Sequence, residues 1–369
     1  MKMKKYFLFL IIFLGHALLS QAQFKWKNPQ NQSFPVIRGR AWQTDLQGTY
    51  ARLPSKAQNK VRKPLWDLSC NSAGLSVAFY SDSPEIKIKY VVKGARSMAH
   101  MPATGVSGVD LYATDRNGRS RWCAARYSFG DTIIYSYGGL TYEDSSDRGY
   151  GYELFLPLYN TVSFLEIGVK ENASISFIPV SEEKPVVVYG TSIAQGACAS
   201  RPGMAWTNIV RRKSGHPVIN LGFSGNGKLE KELFDLLSEV DAKLYVIDCM
   251  PNMTADTAVI ADRILKGVEI LRARSNAPIL LVEHSGYTNE YTSDGVKASY
   301  RATNLQLRKA YNALMNAEVA DIYYLTKEEI GLSMDSMVEG VHPSDLGMQQ
   351  YADAYLRKIC EILERGKSR

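Results

Sequence analysis

From residue 185 onward, short apolar runs alternate with stretches of helical periodicity, and this alternation constrains the fold more than any other feature. The runs that predict strands are residues 186–189, 217–221, 242–248, 278–283 and 322–325. The stretches with a helical period are residues 205–213, 229–238, 255–274, 300–315 and 344–363. Such alternation is typical of a parallel sheet with helices on both faces, so the second half predicts an α/β fold.

In the first half, apolar residues recur at every second position. The runs that predict strands are residues 75–80, 86–90, 132–137, 152–156, 162–169 and 174–178. Short alternating strands favour an antiparallel β-sandwich, and no stretch here has the period of an amphipathic helix. Tyr135 and Tyr137, two residues apart, are expected to share one buried sheet face rather than form an exposed platform for sugar rings.

A polar linker, Ser181-Glu182-Glu183-Lys184-Pro185, lies between the two patterns. A polar segment that ends in proline is typical of a domain boundary. We therefore predict an accessory β-sandwich domain over residues 23–181 and a catalytic α/β domain over residues 182–369.

Residues 1–22 have the composition of an export signal. Lysines at positions 2, 4 and 5 precede an apolar run over residues 7–19, and Ser20-Gln21-Ala22 has the small-x-small pattern of a cleavage site. The run is shorter than the roughly 20 residues that a membrane span needs. We expect cleavage after Ala22, a periplasmic or secreted protein, and no stable membrane span after cleavage.

Charge and cysteine content exclude several functions. The formal net charge is +7, and cleavage of the three leader lysines would lower it to +4, which is too mild to favour nucleic acid as a partner. Five scattered cysteines do not form a disulfide framework, although one bridge remains open. No Cys/His spacing resembles a zinc site, and no glycine-rich phosphate-binding loop is present. We expect neither a metal nor a cofactor.

Ser192 is the candidate nucleophile. It follows the apolar run Val186–Tyr189 and a glycine, where the chain must turn off the end of a strand. Sites in open α/β sheets are built at the carboxyl ends of the strands, so a serine at this position can face a substrate. The alternative is that Thr191 and Ser192 only cap the turn.

A nucleophilic serine needs a base, which at neutral pH is normally a histidine. His342 lies just ahead of the last predicted helix, and Glu339, three residues earlier, can reach its imidazole across a turn that contains glycine. His284, at the end of the fourth predicted strand, is the competing candidate. Asp345 is expected to cap the last helix.

Acyl transfer also needs hydrogen-bond donors for the developing oxyanion. Gly225, after the second strand of the α/β domain, can offer its backbone N–H, and Asn252, after the third, can offer its side-chain amide. Each of them alone could be an ordinary turn residue. Together with Ser192 and His342 they fall in order at successive strand ends.

The order of these residues resembles that of the SGNH hydrolases, also called the GDSL family. The four family blocks match Ser192 in Gly190-Thr191-Ser192-Ile193, Gly225 in Asn220-Leu221-Gly222-Phe223-Ser224-Gly225, Asn252 and His342. The resemblance covers about residues 185–365 and implies a flavodoxin-like fold. Upstream, Gly108-Val109-Asp110-Leu111-Tyr112 resembles the Gly-x-Asp-Leu-Tyr signature of a jelly-roll-like β-domain that precedes certain exported bacterial hydrolases.

By this resemblance, Ser192 attacks an ester carbonyl and His342 is the base, while the backbone of Ser192 and Gly225 and the side chain of Asn252 form the oxyanion hole. Three blocks depart from the family pattern. Thr191 replaces an aspartate, and Met250-Pro251-Asn252 replaces Gly-x-Asn. Glu339 replaces the family's aspartate and is one methylene longer, so either the turn adjusts or a backbone carbonyl orients His342 instead.

The function that these features favour is an exported serine esterase that removes small acyl groups, mainly acetyl, from carbohydrates. Its partner would be a small-molecule or glycan ester, and Arg201, soon after the nucleophile, can either contact a polar substrate or be a solvated loop residue. A lipid or thioester acylhydrolase is one alternative. A carbohydrate-binding protein with a decayed esterase site is another, suggested by Glu339 and Met250.

Overall fold

The computed structural model describes residues 23–115, 117–141 and 150–367. The leader predicted over residues 1–22 lies outside these ranges. Within them, no helix is both long and apolar enough to cross a membrane.

The first half consists mainly of antiparallel strands, as predicted. In chain order they are β1 (Phe24–Lys27), β2 (Ile37–Arg38), β3 (Ser76–Ser81), β4 (Glu85–Val92), β5 (Asp110–Thr114), β6 (Ser120–Cys123), β7 (Arg126–Phe129), β8 (Ile133–Gly138), β9 (Tyr150–Phe155), β10 (Val162–Lys170) and β11 (Ile175–Phe177). One sheet has the order β1-β10-β4-β8-β7, and the other has the order β11-β3-β9-β5-β6 with β2 beside β3.

The two sheets share one apolar core. Along β4 buried and half-buried residues alternate, so Ile86, Ile88 and Tyr90 all point into that core. Tyr135 and Tyr137 on β8 also lie in it, which confirms that they share a buried sheet face.

This half also contains two short helices, although its sequence shows no amphipathic helical period: α1 (Lys63–Ser69) and α2 (Ala103–Val106). α1 has seven residues, and only Leu65 and Ser69 of them are buried. Because the helix is so short, its sequence shows no apolar period. Pro64 lies at its start, where the missing N–H of proline costs nothing.

The second half is the predicted parallel sheet flanked by helices. Its strands are β12 (Val186–Gly190), β13 (Val218–Gly222), β14 (Leu244–Asp248), β15 (Ile279–Val282) and β16 (Ile322–Leu325). All pairings are parallel, and the order β13-β12-β14-β15-β16 is that of a flavodoxin-like sheet. The helices are α3 (Ser192–Gln195), α4 (Trp206–Ser214), α5 (Lys231–Leu237), α6 (Ile260–Arg272), α7 (Asp294–Asn316), α8 (Lys327–Ile330) and α9 (Asp345–Lys367).

Both faces of this sheet are buried. Val187 and Tyr189 of β12 pack in the cluster that contains α5, α6 and α7, whereas Val186 and Val188 pack in the cluster that contains α4 and α9. Burial on both faces explains why the strands appear in the sequence as continuous apolar runs rather than as alternating ones.

A segment of the first half also packs into the core of the second. Leu53, Ala57 and Leu65 belong to the same buried cluster as Leu221 and Phe223 of the β13 region. The sheets change from antiparallel to parallel across the linker at residues 181–185, but the apolar core of the α/β half includes this earlier segment.

Candidate active site

Ser192 lies at the carboxyl edge of the parallel sheet. β12 ends at Gly190, and a side chain there would come within 2.6 Å of the Ala194 Cβ, so the turn needs glycine. Thr191 caps the short helix α3, because its hydroxyl accepts from the Ile193 N–H at 3.3 Å. Thr191 is therefore the capping residue, and Ser192 is free for another contact.

Ser192, His342 and Glu339 form a continuous hydrogen-bonded chain. The Ser192 Oγ lies 2.8 Å from the His342 Nε2. On the other side of the ring, the His342 Nδ1 bonds to one carboxylate oxygen of Glu339. The second oxygen accepts from the His342 backbone N–H at 3.2 Å. Gly340 has a φ of +89°, and this left-handed turn folds the longer glutamate back onto the imidazole.

Exposure to solvent differs among the three hydrogen-bonded residues. Ser192 is only 6% exposed, whereas the Glu339 side chain is 38% exposed. Water reaches the carboxylate and weakens its electrostatic effect on the imidazole. The geometry thus orients His342 firmly, while the charge of Glu339 acts through a partly aqueous environment.

The two candidate oxyanion donors lie on loops that leave the same edge. Gly190 is in register with Gly222 of β13 and with Asp248 of β14. The segments that follow β12, β13 and β14 therefore leave the sheet at the same edge. Gly225 has a φ of +66°. The Asn252 amide is satisfied when its oxygen accepts from the Asn226 and Gly227 N–H groups, each at 3.1 Å. That orientation leaves the Asn252 NH₂ group as a donor on its other side.

The competing histidine is not part of this arrangement. The His284 Nδ1 accepts from the Gly286 N–H at 2.9 Å, and its ring packs against Tyr287 and Tyr300. Burial, together with the charge of Lys327, lowers the pKa of His284 to about 3. His284 is therefore a neutral core residue, and His342 is the histidine that contacts Ser192.

Asp345 does not cap the last helix as expected. It is the first residue of α9, and its carboxylate accepts from the Ser200 backbone N–H at 2.9 Å and from the Ser200 hydroxyl at 2.5 Å. The residue before it, Ser344, is better placed as the cap, since its carbonyl accepts from Met348 N–H. Asp345 therefore fixes the loop that follows the nucleophile.

Arg201 faces the β-sandwich. Its guanidinium bonds to the Asp110 carboxylate and lies 2.6 Å from the Tyr112 hydroxyl. Asp110 also accepts from the Gly203 N–H at 2.9 Å and from the Trp122 Nε1–H at 2.6 Å. The aspartate and tyrosine of the Gly-x-Asp-Leu-Tyr signature thus anchor the loop after the nucleophile.

Two further residues beside His342 were not singled out from the sequence, where neither lies in a recognisable motif. The His100 ring, from the sandwich half, stacks on the His342 ring with centroids 5.6 Å apart. The Cys198 thiol donates to the His100 carbonyl at 3.3 Å. Burial, with a contribution from the charge of Glu339, raises the pKa of Cys198 to about 12, so this thiol is protonated.

These three residues could hold a metal ion. The ligand atoms of His100, Cys198 and His342 all lie within 4.8 Å of one another. Both nitrogens of His342 already bond to Ser192 and Glu339, so a metal ion would compete with those contacts. All five cysteines of the chain are free thiols in the described structure.

A hydroxyl, an imidazole and a carboxylate joined in this order can move a proton away from the hydroxyl as it attacks a carbonyl carbon. Backbone N–H groups at Ser192 and Gly225 and the side-chain amide of Asn252 are the candidate donors of hydrogen bonds to the carbonyl oxygen as negative charge develops on it. The arrangement is suited to acyl transfer.

The chain is similar to several solved structures over most of its length. A candidate GDSL-like lipase from Bacteroides ovatus is 29% identical, with a TM-score of 0.83 and coverage of 93% of this chain and 98% of that chain. A salicylyl-acyltransferase from a tetracycline biosynthetic pathway is 20% identical, with a TM-score of 0.71 and the same coverage. A carbohydrate esterase family 2 enzyme from Corynascus thermopiles (Myceliophthora fergusii) is 14% identical, with a TM-score of 0.51 and coverage of 79% and 93%.

Family models match both halves. Residues 24–175 match the GxDLY model, described as the N-terminus of Esterase_SGNH_hydro-type. Residues 183–360 match the model of the GDSL-like lipase/acylhydrolase family. No curated protein matches the chain. The chain therefore belongs to the SGNH, or GDSL-like, esterases and acylhydrolases, and carries the Gly-x-Asp-Leu-Tyr domain in front of its hydrolase domain.

Proposed function

We propose that this protein is an exported serine esterase that removes small acyl groups, mainly acetyl, from carbohydrates. The observation that carries the proposal is the hydrogen-bonded chain from the Ser192 hydroxyl through His342 to Glu339. It stands at the edge of a parallel sheet where the neighbouring loops bring Gly225 and Asn252.

In this mechanism the Ser192 Oγ attacks the carbonyl carbon of the ester, and the His342 Nε2 takes the hydroxyl proton. The carbonyl oxygen becomes an oxyanion, which the N–H groups of Ser192 and Gly225 and the Asn252 amide stabilise. The tetrahedral intermediate collapses, and the sugar hydroxyl leaves with the proton from His342. Water, deprotonated by His342, then attacks the acyl-enzyme and releases the carboxylic acid.

One comparison and one prediction support a carbohydrate ester as the substrate. A carbohydrate esterase family 2 enzyme shares the fold over 79% of this chain. The predicted export signal would also deliver the protein to a compartment where it meets extracellular glycans.

A lipid or thioester acylhydrolase is a second candidate, favoured by an apolar rim near the carboxylate of the site. Tyr291, Met334 and Val338 are exposed on the loops around Glu339. Tyr291 and Met334 also line a cleft of about 240 Å³. A series of p-nitrophenyl esters separates the two functions: an acetyl esterase prefers two-carbon acyl chains, and a lipase prefers longer ones.

Replacement of the nucleophile tests the mechanism. Ser192→Ala should abolish hydrolysis of p-nitrophenyl acetate and labelling by a fluorophosphonate probe, because only an activated serine reacts with that probe. Ser163→Ala, an exposed serine of the sandwich, is the matched control and should leave both unchanged. Hydrolysis retained by Ser192→Ala would exclude the proposed mechanism. Acetate release from a panel of acetylated plant and host glycans then identifies the sugar.

A further inference from the structure

A cleft lies at one open edge of the β-sandwich, beside the loop that follows the nucleophile. It occupies about 370 Å³ between the two sheets, where β6 ends one sheet and β7 ends the other. Its walls combine aromatic rings with a few polar groups, and include Asp110, Trp122, Tyr127, Tyr135, Tyr137 and Arg201. Such a composition is typical of a ligand-binding site rather than of a gap in packing.

Two aromatic rings of this cleft are exposed but rigidly held. Trp122 is 52% exposed, although its indole N–H is bonded to Asp110 and the Arg201 guanidinium lies 4.6 Å from its ring centroid. Tyr127 is 55% exposed and stacks on Tyr135, with ring centroids 5.1 Å apart. Each ring is fixed on one side by the protein and presents the rest of its surface to solvent.

Trp122 and Tyr127 are exposed aromatic residues on edge strands, an unusual position for large apolar side chains. An edge strand with apolar side chains invites pairing with other chains, and proteins normally avoid that arrangement. Large rings that remain in solvent instead mark binding surfaces. A flat aromatic face suits the apolar C–H face of a sugar ring, whose hydroxyls project from its rim toward polar neighbours.

The cleft also offers polar groups for those hydroxyls. Tyr137 is only 1% exposed, and its hydroxyl has no hydrogen-bond partner among the described residues. A buried hydroxyl without a partner is unfavourable, so a ligand group that bonds to it would be stabilised. The Arg201 side chain, 26% exposed and next to Trp122, adds a charged donor from the catalytic half.

One wall of the cleft belongs to the catalytic half. Ser200 and Arg201 line it, and they lie on the loop that follows α3, the helix that begins with Ser192. The Ser200 carbonyl accepts from the Thr104 hydroxyl at 2.7 Å, and its N–H and hydroxyl bond to Asp345. One wall of the cleft is therefore formed by the loop that follows the helix of the nucleophile.

We propose that this cleft binds a sugar ring of the substrate glycan, with Trp122 and Tyr127 as stacking platforms and Tyr137 and Arg201 as hydrogen-bonding groups. The inference rests on the proposed function, because a glycan held here is a substrate only if Ser192 cleaves its acyl ester. It assigns glycan recognition to the β-sandwich and ester cleavage to the α/β half.

The test compares two substrates in the variants Trp122→Ala and Tyr127→Ala. The first is a p-nitrophenyl ester, either the acetate or the butyrate, and the second is an acetylated oligosaccharide from plant xylan or glucomannan. We expect kcat/KM for the oligosaccharide that is hydrolysed to fall about tenfold or more, with p-nitrophenyl acetate hydrolysis unchanged. Phe164→Ala, an exposed aromatic of β10 outside the cleft, is the matched control and should change neither.

Other results would overturn the proposal or the function on which it rests. Unchanged oligosaccharide hydrolysis in both cleft variants overturns the proposal, and so does hydrolysis of p-nitrophenyl acetate with no acetate released from any oligosaccharide. Losses confined to p-nitrophenyl butyrate would assign the cleft to the acyl chain instead. A wild-type protein inactive on every ester would refute the proposed function itself. Trp122→Phe, which keeps a ring, should retain more oligosaccharide activity than Trp122→Ala, and this separates stacking from a general loss of structure.

Discussion

Glu339 illustrates how one methylene changes the environment of a carboxylate without breaking its contact. The left-handed turn at Gly340 lets one oxygen reach the imidazole Nδ1 and the other accept from the His342 N–H. The side chain remains 38% exposed, so its charge is screened by water. We infer that Glu339 acts mainly by orienting His342.

Glu339→Gln tests this role. The amide keeps the shape and can still accept from the Nδ1–H, so kcat on p-nitrophenyl acetate should fall by about 10²-fold, against about 10⁴-fold or more for His342→Ala. Glu182→Gln, in the exposed linker, is the control. Equal losses in the Glu339 and His342 variants would instead make the carboxylate charge essential.

Asp248 should make stability depend on pH. It is fully buried at the end of β14, and burial raises its pKa to about 7. In the unfolded chain the carboxyl titrates near pH 4, so its contribution to stability is complete below about pH 4 and is lost as the pH rises to about 7.

Asp248→Asn removes this ionisation while it keeps the size of the side chain. Between pH 5 and pH 8, the wild-type free energy of unfolding should fall by an extra 2–4 kcal/mol or so that the variant does not lose. Urea unfolding at the two pH values measures the difference. Parallel pH profiles for the two proteins would contradict a raised pKa at Asp248. Asp67→Asn, an exposed aspartate of α1, serves as the control.

Among the elements, the loop before α2 has the most direct effect on the site, because it brings His100 onto His342. The three potential ligand atoms of His100, Cys198 and His342 form a set that suits a soft divalent ion such as Zn²⁺. Binding would take the imidazole away from Ser192 and stop proton transfer.

Zinc should therefore inhibit ester hydrolysis reversibly, and EDTA should restore it. His100→Ala and Cys198→Ser should each raise the inhibition constant at least about tenfold. Inhibition should strengthen as the pH rises, because zinc must displace the proton of the Cys198 thiol. His216→Ala, a histidine outside the cluster, is the control. The same inhibition constant in a variant that lacks both His100 and Cys198 would show that zinc binds elsewhere.

The sequence predicted the buried elements well and the exposed ones poorly. All five strands of the parallel sheet were predicted, because burial on both faces produces long apolar runs. β6 and β7 were missed because they are edge strands with mostly exposed residues and no clean alternation. Of the site, motif order predicted Ser192, Gly225, Asn252 and His342. It could not reveal His100, since only the packing of the two halves brings that residue to the imidazole.

At the scale of the whole molecule, Arg52 joins the two halves. Its guanidinium lies under Phe223 and donates to the carbonyls of Asn71, Asn220, Gly222 and Leu68. The side chain is 1% exposed, and burial lowers its pKa to about 9. It fixes the carboxyl end of β13, from which the Gly225 loop begins.

Arg52→Met should destabilise the protein by about 3–5 kcal/mol, because several buried carbonyls lose their donor. In the wild type both halves should unfold in one transition, followed by tryptophan fluorescence and by far-ultraviolet circular dichroism. Arg96→Met, which removes a half-buried arginine whose ion pair with Asp131 is at the surface, should change stability by less than about 0.5 kcal/mol. Two separate wild-type transitions would mean that the halves are energetically independent.

The packing of residues 53–65 against the α/β core also determines when this segment can fold. Leu53, Ala57 and Leu65 leave the ribosome long before Leu221 and Phe223, and Arg52 must wait for Asn220, 168 residues later. Until then, these apolar residues lack the α/β side chains that bury them and are exposed to aggregation or chaperone binding. Under the proposed export, this delay would keep the segment from reaching its folded state before the second half of the chain has been made.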